Sequence, residues 1–99
     1  MNQTTLIERL LSLTHAIEDA AALADWPEAA RLTEERSPLF ASLIADQDPA
    51  ALEMIRLIQA IDTDVLANAQ TTQVELHAEY HAAMTRANAA GQYQQVAQF

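Results

Sequence analysis

His77 and His81 stand one helical turn apart, a spacing that sets two imidazoles on one face and that zinc proteases use to hold their metal. The intervening Ala78-Glu79-Tyr80 does not complete a His-Glu-x-x-His pattern, and two imidazoles do not close a tetrahedral site. Glu75 and Glu79 fall toward another side of the same helix, and no Glu-x-x-His pair of the di-iron bundle type occurs. His15 has no second histidine or acid pair at ligand spacing and reads as a surface residue. With no cysteine there is no thiolate nucleophile, no disulfide framework and no cysteine-ligated zinc. Serines and threonines are scattered over helical positions without a glycine-rich elbow or a phosphate loop. The expectation is a protein that is not an enzyme and holds no metal or cofactor, with His77 and His81 solvated.

The remaining chemistry is apolar recognition, and it is organised by the stretch from Pro49 to about Ala90. At 100° per residue, Met54, Ile55, Ile58, Ile61, Val65, Ala69, Thr72, Leu76, Tyr80, Ala83 and Ala87 fall in one stripe without a phase slip. Glu53, Arg56, Asp64, Gln70, Thr71, Thr85 and Asn88 lie on the opposite side. Asp48 before Pro49 is a helix-start signal, and Gly91, the only glycine, is a natural stop. A helix of about forty residues is a rod of roughly 60 Å. The two upstream helical stretches are about half as long and cannot cover it. The stripe also thins from branched aliphatics to alanines, so its C-terminal half is expected to be open to a partner.

Helix one is expected from about Thr4 to Ala24, with Leu6, Leu10, Leu13, Ile17, Ala20 and Ala24 as a seam that Leu11 and Leu23 widen. Asp25-Trp26-Pro27-Glu28 ends it and starts helix two, with Asp25 as cap and Glu28 at the reciprocal capping-box position. Trp26 reads as a buried anchor at the tip of an antiparallel hairpin. Helix two is expected to reach Ala45, with Trp26, Ala29, Leu32, Arg36, Leu39, Phe40, Leu43 and Ile44 inward and a kink or restart at Pro38. Arg36, beside Glu34 and Glu35, reads as a surface or inter-helix ion pair worth under ~1 kcal/mol. Ala45-Asp46-Gln47-Asp48 is a short acidic loop. The fold class is all-α: an antiparallel three-helix bundle, one domain over 1–99, with helices about 4–24, 26–45 and 49–90 and a short tail at 91–99.

One glycine and three prolines leave too little turn chemistry for a β-rich fold. Fourteen acids against five bases give a net charge of −9, which repels phosphate backbones and anionic lipid, so no nucleic acid is expected as partner. The longest run without a polar residue, Ala20 to Ala24, is far short of the ~20 residues that span a bilayer. No basic leader precedes an apolar run. No membrane insertion and a cytoplasmic location are expected.

The stretch from Asp25-Trp26-Pro27-Glu28 through Glu35-Arg36-Ser37-Pro38-Leu39-Phe40 resembles the FliT-type flagellar export chaperones. In that family a tryptophan opens helix two, a Glu-Arg pair follows about two turns later, and a doublet of large apolar residues closes the motif. Ile55-Arg56-Leu57-Ile58-Gln59-Ala60-Ile61-Asp62 resembles the start of the family's third helix, and Tyr93 matches its terminal-region tyrosine. The resemblance implies a cytoplasmic chaperone that keeps the filament-cap protein from assembling early, delivers it to the flagellar type III export gate and contacts the export ATPase components. It also implies gate contact at Tyr93.

Two functional expectations follow. In the first, Leu76, Tyr80, Met84 and Tyr93 bind partners, the client being the C-terminal segment of the filament-cap protein laid into an apolar groove. In the second, the long helix covers the same stripe by forming a homodimer, and the chain is a self-associating regulatory or adaptor module without a secretion role.

Overall fold

Asn2 opens the first helix: its side-chain oxygen accepts the Thr5 amide at 2.7 Å, so α1 runs Gln3–Ala22. The computed structural model describes the backbone of residues 2–97 and their side chains except those of 88 and 90–97. α1 buries the expected seam of Leu6, Leu10, Leu13, Ile17 and Ala20 but not its last member, Ala24, which lies beyond the helix end and is exposed; a second row, Ile7, Thr14 and Ala21, spaced by seven, is buried as well. Leu23 does not widen the seam. The chain leaves the helix there, and Leu23 is 82% exposed.

The exit is a Schellman arrangement. Ala24 takes a positive φ of 57°, its amide donates to the Ala21 carbonyl at 3.0 Å, and the Asp25 amide donates to the Ala20 carbonyl at 2.9 Å. The Asp25 carboxylate then caps α2, Trp26–Phe40, by accepting the Glu28 amide at 3.2 Å. The reciprocal half of the capping box is not made, because the Asp25 amide is already spent on Ala20. Glu28 turns instead to Arg31, whose Nε donates to it at 2.9 Å.

Pro38 lies inside α2, which ends two residues later, short of the expected Ala45. Proline brings no amide to the Glu34 carbonyl, and tight turns follow, with the Ser42 and Leu43 amides donating to the Leu39 and Phe40 carbonyls at 3.1 Å. The connecting loop is held from outside. The Gln3 side chain donates to the Ser42 carbonyl at 3.1 Å and accepts from the Ile44 amide at 3.3 Å and from the Gln47 side chain at 2.8 Å.

Asp48 caps α3, Pro49–Ala97, by accepting the Ala51 amide at 2.8 Å. The helix continues through Gly91 instead of stopping there. A glycine costs a helix about 1 kcal/mol, and the alanines and glutamines around it are good helix formers with no proline beyond. The chain divides into two units, Met1–Asn68 and Ala69–Phe99.

In the first unit the three helices run up, down and up. Leu13, Ile17 and Ala20 of α1 meet Ala29 and Leu32 of α2, flanked by Ala16, Trp26, Leu39 and Val65. Leu6 and Leu10 meet Ile58 of α3, flanked by Leu11, Leu39 and Leu43. Progress from Leu10 to Ile17 on α1 matches progress from Ile58 to Val65 on α3, so these two helices are parallel and α2 is antiparallel to both. Trp26 packs at the hairpin tip as expected, but is half-buried where a buried anchor was expected. Its indole N–H is buried with no acceptor among the described residues. No strand occurs among the described residues, and the architecture is the all-α bundle with a long third helix.

Candidate functional site

Every side chain from 73 to 87 is exposed, although the apolar period of α3 runs on through this stretch unchanged. Leu76 is 59% exposed, Tyr80 63% and Met84 43%. Leu76 and Tyr80 are one turn apart and Met84 follows after another, so the three form a row along one side of the helix. Ala69 and Thr72 are half-buried at the start of this unit. Val74 is also exposed but lies off the row; an apolar residue on the polar side was the only signal for it. Tyr93 belongs to α3, but its side chain lies outside the described residues.

His77 and His81 flank the row as exposed residues, their rings edge to face with centroids 4.5 Å apart. The Tyr80 and His81 rings also meet edge on, at 6.4 Å. Among the described residues no three histidines or acids come together to hold a metal ion. His15 is an exposed surface residue whose Nδ1 lies 3.5 Å from Glu18. No helix among the described residues is long and apolar enough to cross a membrane.

Arg36 makes an inter-helix ion pair, one of its two expected readings, with Asp62 as the partner in place of its neighbours Glu34 and Glu35. It is buried, and its Nη1 donates to Thr14 Oγ1 of α1 and to Asp62 Oδ1 of α3, both at 2.8 Å. Its guanidinium also lies over the Phe40 ring, 5.0 Å from the centroid. Thr14 is fully buried and its hydroxyl donates a hydrogen bond to the Leu10 carbonyl at 2.7 Å. Glu35, the neighbour expected to compete for Arg36, instead accepts from Arg9 at 3.1 Å and from Arg31 at 3.2 Å. Asp62 could have been found in advance: at 100° per residue it falls within the apolar stripe, between Ala69 and Ile55 and at the same angle as Tyr80.

Residues 4–95 match the family described as flagellar protein FliT. The chain belongs to the FliT family. Comparison with curated proteins and with solved structures returned no match. FliT proteins are flagellar chaperones, and the matched stretch runs from the first turn of α1 nearly to the end of α3. In this FliT chain the tryptophan that opens helix two is an anchor of the hairpin, and the Glu-Arg pair divides its work. Glu35 ties α2 to α1 on the surface, and Arg36 ties α2 to both other helices inside.

Proposed function

We propose that this chain is a flagellar type III export chaperone that binds the C-terminal segment of the filament-cap protein in the cytoplasm and delivers it to the export gate. Residues 1–99 act as one helical-bundle chaperone domain. The observation that carries the proposal is the row of exposed Leu76, Tyr80 and Met84 on a helix that keeps its apolar period while every side chain from 73 to 87 is exposed. An amphipathic client helix laid along this row would remove those side chains from water, at ~25 cal/mol per Å² of apolar surface covered. Met84 lends the adaptability of a flexible thioether to that contact. Binding is reversible burial, which suits a client that has to be released. Tyr93, further along the same helix, is assigned to the export gate, and the export ATPase components are further partners.

The test is calorimetry of the full chain with the C-terminal segment of the cognate filament-cap protein, with light scattering on the free protein. Micromolar or tighter one-to-one binding that Leu76→Asp abolishes, at unchanged helicity, is the expected result. Binding that survives Leu76→Asp would remove the row from the proposal. A stable dimer that ignores the client would favour the self-associating module, since the same row also suits a second copy of α3.

A further inference from the structure

We infer that the Arg36–Asp62 pair is the register pin of the bundle: it selects which segment of the α3 stripe the α1–α2 hairpin covers, and so which segment stays open. The apolar side chains alone do not make that choice. Met54, Ile58, Ile61, Val65 and Ala69 recur at each turn, and a slide of α3 by one turn along the hairpin exchanges one apolar residue for another. Between Met54 and Ala69 the stripe carries one charged residue, Asp62. The hairpin's inner side likewise carries one, Arg36, whose guanidinium is buried, bonded to Thr14 of α1 and, among the described residues, without a partner at Nε.

After a slide of one turn Arg36 would face Ile58 or Val65, with a buried cation and no carboxylate. Thr14 does not replace Asp62. Its hydroxyl already serves Leu10, and a neutral oxygen does not compensate a buried charge. A single polar pair that costs stability yet fixes register is the best-attested use of such groups inside helical assemblies. The pin acts within Met1–Asn68 and does not depend on what binds the open row.

The test uses the full chain, which has no cysteine of its own to interfere. Leu10→Cys with Ile58→Cys reads the present register by disulfide yield. Leu10→Cys with Met54→Cys, or with Ile61→Cys, reads a slide of one turn. The matched pair should outpace the shifted pairs by about tenfold or more with Arg36 and Asp62 in place, and by no more than about threefold with Arg36→Met and Asp62→Leu, where no charge is left to orphan. A second variant moves the acid by one turn, Ile58→Asp with Asp62→Leu; with position 58 taken by the acid its register is read further along the seam, where Ile17→Cys with Ile61→Cys, a slide of one turn, should outpace Ile17→Cys with Val65→Cys, the present register. A ratio unchanged in the first variant at native helicity would overturn the inference. So would a second variant that keeps the present register, and this second result decides the matter if the first variant does not fold.

Discussion

Arg36 and Asp62 meet at 2.8 Å across the α2–α3 interface with unequal burial: the arginine side chain is 9% exposed and the aspartate 36%. The aspartate can return to water if its partner is removed. The guanidinium cannot. The two halves of this ion pair therefore differ in what their loss costs.

Asp62→Ala should destabilise the protein by about 2–4 kcal/mol, since it strands a buried cation. Arg36→Met should cost within about 1 kcal/mol, because an apolar stem of similar reach fills the site and Asp62 is rehydrated. Urea denaturation of the two variants checks the order. Equal losses would mean that the guanidinium is solvated in solution.

Ala24→Gly should stabilise the protein by about 0.5–1 kcal/mol. Ala24 holds the left-handed conformation that ends α1, with φ 57°, where a Cβ is a steric cost that glycine does not carry. Thermal unfolding of the variant should show a higher midpoint, and a drop would mean that the turn is not left-handed in solution.

Glu28 accepts hydrogen bonds from Arg31, which holds its carboxyl below the usual carboxylate range. A carboxyl whose folded pKa is lowered adds stability that is fully present above its unfolded pKa and is lost as the pH falls through the folded value. Both side chains are well exposed, so the effect on stability is small and screened by salt. An NMR titration of Glu28 should midpoint low in the native chain and return to the ordinary range in Arg31→Ala.

Ile58→Ala should cost about 2–4 kcal/mol, because Ile58 is buried between Leu6 and Leu10. Leu76→Asp should leave stability within about 0.5 kcal/mol, since Leu76 is more than half exposed. The two residues share one stripe, so the contrast, read from the denaturation midpoints of the two variants, measures how far the bundle covers it.

By itself the sequence determined the helices. Caps at Asp25 and Asp48 and the 3.6-residue period of Leu6 through Ala20 and of Met54 through Ala87 are local properties, carried by backbone groups and neighbours one turn away. The exposed row at Leu76, Tyr80 and Met84 was legible for a related reason. Two short helices do not have the length to cover a long one.

Only the tertiary structure decided what lies between helices. Glu34, Glu35 and Asp62 are all acids that Arg36 could reach on charge alone, and the choice fell to Asp62 because α3 brings it to the face where Arg36 is already buried against Thr14. Thr14 and Ile7 were hidden because they lie off the single seam of Leu6 through Ala20, and nothing local marks a threonine as the buried partner of Arg36, twenty-two residues away. The loop that follows Phe40 is likewise held by Gln3, thirty-nine residues from its partner Ser42. Each of these pairs residues far apart in the chain, and no local period or cap encodes which of several competent partners the folded geometry will bring within reach.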